Sequence, residues 1–326
     1  MTNFTRIRII IRAVFVIVLG VITVLFWPFP SKFVAPAMTA SPSYDASIAA
    51  LQKMVAETPD TIREDARPQF LVHGAPTERV YVLLHGLSNN PRQYAKFSQE
   101  LFQRGANVVI PRMKYHGEKN RMATDWARLT AQDMVDEAVE AIRIARGLGK
   151  HVTVIGLSVN GTALGWVAQH TDAADKVVLL SPFIAPAGVP AFAVTPLARI
   201  LLGLPNFFLW WDFRAKENVA GPDYVYPRFP THVIGETMRL GSVILQDSAQ
   251  TAPRSPSILV VTSASDVAVN NSLTERLVEQ WRSRGGKVEA YQFPAEEKVT
   301  HDFIDPNQPD ARIDLVYPRL IELLEK

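Results

Sequence analysis

The chain contains no cysteine. That excludes disulfides, thiolate zinc sites and a cysteine nucleophile, but leaves the compartment open, because extracytoplasmic proteins can also do without cysteine. A strong charge bias is missing too: 326 residues carry a net charge of only +2. The first 32 residues hold no acid, and Arg6, Arg8, Arg12 and Lys32 stand alone there, so the remainder is slightly acidic. Such a balance is no footprint for nucleic acid. There is no internal repeat or low-complexity tract, no pattern that calls for a metal or organic cofactor, and no signal of oligomeric state. What is abundant is apolar residues, 48% of the chain, enough for a substantial core.

The N-terminus is the most biased segment. "RIRIIIRAVFVIVLGVITVLFWPFP" sets three arginines before an apolar run from Ala13 to Trp27. The run is about 15 residues, or about 19 if it starts at Ile9 and Arg12 snorkels, between a signal-peptide core and a short spanning helix. Residues 1–30 are expected to be a membrane anchor or signal segment. The tripeptide "APA" at Ala35 to Ala37 lies past the run with prolines between, a poor fit to processing, so an uncleaved anchor is favoured over secretion. The arginines ahead of it predict a single-pass protein with a cytoplasmic N-terminus and an extracytoplasmic body, periplasmic in a bacterium.

Residues 31–68 read as a tether and a short amphipathic helix, the latter within "ASPSYDASIAALQKMVAET". From residue 69 to 326, β-rich runs alternate with helical patterns: "QFLVHG", "RVYVLLHG", "ANVVIPR", "HVTVIG", "KVVLLSPF", "SILVVTSASD" and "KVEAYQF". In "AQDMVDEAVEAIRIARGLG", Met134, Ala138, Ile142 and Ala145 share one face. Such alternation predicts an α/β domain with a mostly parallel central sheet covered by helices. Residues 185 to about 250 break the pattern, with no clear strand and a dense apolar stretch "VTPLARILLGLPNFFLWWDF". This segment is expected to be an inserted cap, or else to pack on the sheet edge.

A serine alcohol becomes a nucleophile only with a base to take its proton, an acid to orient that base, and donors for the oxyanion. Ser158 stands where the strand "VTVIG" meets the helical "NGTALGWVAQH". A sharp turn there would raise its hydroxyl above the sheet edge, at a helix N-terminus. Of the seven histidines, His301 follows the last strand, where catalytic groups of a parallel sheet gather. His85 reads as loop-shaping, His116 sits in a loop, and His73, His151, His170 and His232 read as surface or structural. Asp266, just past "ILVVTSAS", completes the order Ser, Asp, His, while Asp302 and Asp305 read as loop-capping residues. In "LLHGLSNNPRQY", Gly86 lets the backbone approach a substrate, so the N–H groups of Leu87 and Val159 are the expected oxyanion donors. Phe207, Phe208, Trp210 and Trp211 are candidate pocket residues, with the tryptophan pair alternatively at a membrane interface. The basic loop "PRMKYHGEKNR", with Arg112, Lys114, Lys119 and Arg121, reads either as an anion reader or as a solvated surface.

Together "HGLSNNPRQY", "GLSVNG", "SASDVAVNN" and "THDF" resemble the α/β-hydrolase family, and within it the bacterial carboxylesterase and monoacylglycerol lipase branch, also labelled serine aminopeptidase-like. The resemblance spans roughly residues 69 to 324. It implies Ser158 as nucleophile, His301 as base, Asp266 as its orienter, Leu87 and Val159 at the oxyanion, and a cap over an acyl pocket. It implies a serine esterase or lipase acting on apolar acyl esters, lipid-derived ones included. An acyltransferase or peptidase with the same residues, or an inactive membrane-tethered binding protein, are the rivals. One departure stands out: the family elbow reads GxSxGG, and here Asn160 replaces the first of the paired glycines.

Overall fold

The computed structural model describes residues 3–26, 31–36 and 41–326. Its centre is a seven-stranded sheet formed by β1 (Gln69–Leu71), β2 (Thr77–Leu84), β3 (Asn107–Ile110), β4 (Gly149–Leu157), β5 (Lys176–Leu180), β8 (Ile258–Ser263) and β9 (Val288–Phe293), with β6 and β7 set apart in an insertion described below. The spatial order is β1-β3-β2-β4-β5-β8-β9, and only the edge pair β1 and β3 is antiparallel. The expected mostly parallel sheet is therefore present, and each of the seven β-rich runs supplies one strand.

Strand alternation divides the core in two. Val80, Val82 and Leu84 of β2 face one side with Val152 and Val154 of β4, while Tyr81 and Leu83 face the other with Ile155 and Leu157. The first side is covered by α2 (Tyr44–Ala56), α4 (Ala131–Ala145) and α5 (Val159–His170), the second by α3 (Ala95–Gln103) and α9 (Ile313–Glu325), with α8 (Asn271–Ser283) beside β8 and β9. Met134, Ala138, Ile142 and Ala145 all lie buried on α4. Thr130 and Asp133 start that helix with a reciprocal capping box.

This topology determines where a site can form. From β2 the chain runs outward to β3, then returns to place β4 on the opposite flank of β2, so the carboxyl ends of β2 and β4 border the crevice where the winding direction reverses. Register aligns Leu84 with Gly156, which brings the loop after β2 level with the turn after β4.

The insertion between β5 and β8 differs from its sequence reading. It holds α6 (Ala191–Gly203), an antiparallel ribbon of β6 (Phe208–Trp210) and β7 (Arg228–Pro230), and α7 (Thr231–Ser248). The ribbon escapes sequence reading because three-residue strands are too short to show alternation. Its two ends also behave differently. α7 packs on α5, with Val233, Met238, Leu240 and Ile244 buried in the main core, whereas Phe192, Phe207, Leu209 and Phe213 are exposed.

The expected membrane anchor is corrected. Residues 3–26 form α1 (Asn3–Phe26), which lies against α6. Among the described residues no helix is long and apolar enough to cross a membrane. The physical reason lies in Arg6, Arg8 and Arg12: the uncharged part of α1 is about 14 residues or roughly 21 Å, short of a hydrocarbon core of about 30 Å. The single-pass topology, with its cytoplasmic N-terminus and extracytoplasmic body, falls with the anchor. Trp27 at the end of the apolar run and Ala37 of the "APA" tripeptide lie outside the described residues.

Division of the insertion into a core helix and an outer part predicts unequal costs. Met238→Ala should lower stability by about 2–5 kcal/mol in denaturant unfolding, and Phe213→Ala, at a side chain 72% exposed, should stay within about 0.5 kcal/mol.

Candidate active site

Ser158 sits between the end of β4 and the first residue of α5 with φ +58° and ψ −117°, a backbone region that L-residues adopt at a cost of order 1–3 kcal/mol. Neighbouring contacts hold it there. Ser158 N–H donates to Leu180 O at 2.9 Å, and Ser158 O accepts from Thr162 N and Phe183 N, each at 3.0 Å. Space is equally constrained, since a Cβ on Gly156 would come within 2.7 Å of Asn160 O. At Gly161 three backbone atoms would stand 3.1 Å away. Asn160, the departure from the paired glycines, fits without disturbing this: it is buried, and its Nδ2 donates to His85 O at 2.7 Å.

Ser158, His301 and Asp266 come together from three separate loops at the carboxyl edge of the sheet. His301 Nε2 lies 2.9 Å from Ser158 Oγ, and His301 Nδ1 lies 2.7 Å from Asp266 Oδ2. The remaining oxygen, Asp266 Oδ1, accepts from Ala268 N at 2.9 Å. Burial pushes the Asp266 carboxyl upward, but its contact with His301 and the Ala268 N–H more than offset that and hold it below the usual value. Burial pushes His301 down, yet the Asp266 hydrogen bond and the negative charges of Asp266 and Asp302 outweigh it, so the imidazole sits above 6.5. In this arrangement the ring donates from Nδ1 to the carboxylate and presents Nε2 as acceptor to the serine hydroxyl.

Leu87 is buried beside the turn and Val159 opens α5. Neither main-chain N–H donates to another described residue. Among the described residues these two groups therefore have no hydrogen-bond acceptor, one in the loop that lines the cleft with Ser158 and one directly after Ser158 in sequence. The cleft at Ser158 has a volume of about 340 Å³ including its open mouth, and its walls include Leu87, Leu157, Trp211, Gln93 and Asp302. Of the four aromatic residues read as pocket candidates, the structure brings Trp211 to the cleft and not Phe207, Phe208 or Trp210. Phe208 packs edge-on against Trp126, with Arg228 over its ring at 4.2 Å. Phe207 is exposed.

Lys114 and Lys119 of the basic loop are exposed, in keeping with a solvated surface, yet each of its four cations has a protein partner. Arg112 donates to His116 O, Lys114 pairs with Asp133, Lys119 donates to Asp60 O and Arg121 to Val225 O, so these cations fasten the loop to its surroundings.

Behind His301 lies a polar cluster that sequence order does not reveal. Asp302 accepts from Gln93 Nε2 (2.7 Å), Asn89 Nδ2 (3.0 Å) and Gln308 Nε2 (2.7 Å). Tyr224 of the insertion donates to Asp305 at 2.8 Å. Burial and the neighbouring Asp305 charge push Asp302 up to about 6. These residues come from loops up to 216 positions apart, so spacing gives no hint of them. Their only sequence signal is an unusual density of Asp, Asn and Gln after His301.

The model of the alpha/beta hydrolase family matches residues 81–314. Among solved structures, the chain is similar to one described with LipS and LipT, two metagenome-derived lipolytic enzymes, at 18% identity and a TM-score of 0.59, covering 81% of this chain and 99% of that one. It is similar to the monoacylglycerol lipase of Paleococcus ferrophilus at 16% identity and a TM-score of 0.57, over 79% and 97% of the two chains. A soluble variant of the Saccharomyces cerevisiae monoglyceride lipase, in complex with a substrate analog, matches at 13% identity and a TM-score of 0.59, over 92% and 97%. At such identities the likeness is one of fold. No curated protein matches the sequence.

The electrostatics predict a pH profile. If His301 is the base it acts when neutral, so kcat/KM for an ester should rise with pH through an apparent pKa above that of an ordinary imidazole. Asp302→Asn removes a negative charge that favours the imidazolium, so the acid limb should move to lower pH by about one unit. An unmoved or upward-moved limb in a pH-rate series would contradict this assignment.

Proposed function

Because the chain belongs to the α/β-hydrolase family, we propose that it is a serine hydrolase that cleaves carboxylic esters of apolar acyl groups through an acyl-enzyme. The observation that carries this reading is the unbroken contact series from Ser158 Oγ through His301 to Asp266, at 2.9 and 2.7 Å, with two unspent main-chain donors beside it. A serine Oγ–H placed on a neutral imidazole Nε2 has the arrangement needed for proton removal during attack.

The proposed cycle has two halves. His301 Nε2 takes the proton from Ser158 Oγ as the oxygen bonds to the ester carbonyl carbon, and the carbonyl π pair moves onto oxygen. Leu87 and Val159 N–H groups donate to that oxyanion. Asp266 holds the Nδ1–H tautomer and offsets the charge of the imidazolium. Collapse of the tetrahedral intermediate breaks the bond to the leaving alkoxide, which receives the proton from Nε2. Water then attacks the acyl-enzyme with His301 as base, giving the acid and restoring Ser158. This departing alcohol and incoming water use the same proton carrier, so no further titratable group is required.

The cleft supports the proposed substrate class. Leu87, Leu157 and Trp211 supply apolar walls, while Asp302 places a carboxylate at the edge, which disfavours an anionic group there. Uncharged esters with apolar acyl chains suit this lining. Monoacylglycerols, named for two of the similar structures, accordingly belong in a substrate panel.

A fluorophosphonate probe tests the nucleophile. Wild-type protein should be labelled and Ser158→Ala should not, with ester turnover reduced about 10⁴-fold or more. Labelling that persists in folded Ser158→Ala would reject the proposal.

A further inference from the structure

Several polar contacts converge on His85, Gly86 and Leu87, Asn89 N–H donating to Gly86 O at 3.2 Å among them, and none of those between described residues uses Leu87 N–H. The peptide unit joining His85 to Gly86 is gripped at both ends by side-chain amides. Its carbonyl accepts from Asn160 Nδ2 at 2.7 Å, and its N–H donates to Gln93 Oε1 at 2.8 Å. The next peptide unit, from Gly86 to Leu87, has its carbonyl 2.9 Å from His85 Nδ1. Because His85 Nε2 accepts from Met113 N at 3.0 Å, Nδ1 carries the proton and donates to that carbonyl. Burial, with the nearby His116 ring, lowers His85 to about 3 and keeps it in this neutral form. The Leu87 carbonyl lies 2.7 Å from His116 Nε2.

A trans peptide points its C=O and N–H in opposite directions. Pinning Gly86 O between the His85 ring and the Asn89 N–H therefore turns Leu87 N–H the opposite way. The glycine at 86 is free to rotate about both backbone bonds, so this orientation depends on the contacts that hold its flanking atoms. Gln93 adds a second connection, because its Nε2 donates to Asp302, the residue after His301. Asn160 adds a third, because it lies two residues after Ser158 in the first turn of α5.

We propose that Gln93 and Asn160 are positioning residues for the oxyanion: they clamp the His85–Gly86 peptide, and so fix the direction of Leu87 N–H relative to Ser158 and His301. On this account Asn160 is no flaw in the turn. Its side chain takes over part of the fixation of the facing loop, which a glycine at that position has no atoms to provide. The inference rests on the reading of Leu87 as an oxyanion donor.

The test compares Gln93→Met and Asn160→Gly with wild type on p-nitrophenyl esters, with an acyl-matched trifluoromethyl ketone as oxyanion-forming inhibitor. Each variant should lose about 10- to 100-fold in kcat with KM within about twofold, and Ki for the trifluoromethyl ketone should rise by a similar factor. Asn160→Gly removes the other half of the clamp without touching Asp302 and supplies a second reading should Gln93→Met fold poorly. Folded variants with wild-type kcat and inhibitor Ki would overturn the proposal, as would a loss confined to KM. Ser158→Ala, assayed in parallel, separates the two levels. If it is inactive while the clamp variants match wild type, only the clamp is wrong; if it retains turnover, the acyl-transfer reading beneath it is wrong.

Discussion

The turn at Ser158 is the constraint from which the rest of the site takes its geometry. A non-glycine residue at φ +58° persists only where its surroundings make every alternative worse. Here the Leu180 carbonyl on one side and the Phe183 and Thr162 amides on the other hold both polar ends of the residue. The absence of a side chain at Gly156 and Gly161 lets β4 and α5 come together without a clash. Raising Ser158 above the sheet edge is what brings Oγ within reach of a histidine that follows β9, two strands beyond β5.

Around that turn, polar groups are spent in a way that leaves a consistent remainder. Asp266 uses one oxygen on the Ala268 amide and the other on His301, so its orientation and that of the imidazole are fixed together. The His85 ring, Gln93 and Asn160 occupy atoms flanking Leu87, and among the described residues the amides of Leu87 and Val159 have no acceptor. Asp302 and Asp305, with Asn89, Gln93, Gln308 and Tyr224, link the His301 loop to the loop after β2 and to the insertion. On the proposed mechanism, such a preorganised set of donors and fixed proton carrier would rearrange little during reaction, which is where such sites gain rate.

The parallel sheet was legible because β2, β4, β5 and β8 are buried on both faces and read as continuous β-branched and leucine runs. Ser158, Asp266 and His301 were legible because each follows such a run, and strand ends on one sheet edge converge whatever their separation in sequence. Asp305 does cap its loop, accepting from Asn307 N–H, but the contacts of Asp302 with Gln93 and of Asp305 with Tyr224 across distant loops leave no periodic trace in the sequence. The same limit hid the partner of Asn160 and the anchoring of Lys119 and Arg121. In the insertion, aromatic density suggested a pocket, but only Trp211 reaches the cleft; Phe208 is instead consumed in packing on Trp126. At the N-terminus an apolar run was read as spanning, while the arginines on α1 leave its uncharged length too short.

The central claim is that ester turnover passes through a covalent acyl group on Ser158. Acid quenching during turnover of a slowly released p-nitrophenyl ester, followed by peptide mass mapping, measures that directly. The account predicts the acyl mass increment on the peptide carrying Ser158 and on no other. Turnover without that increment, or an acyl group on a different side chain, would contradict it.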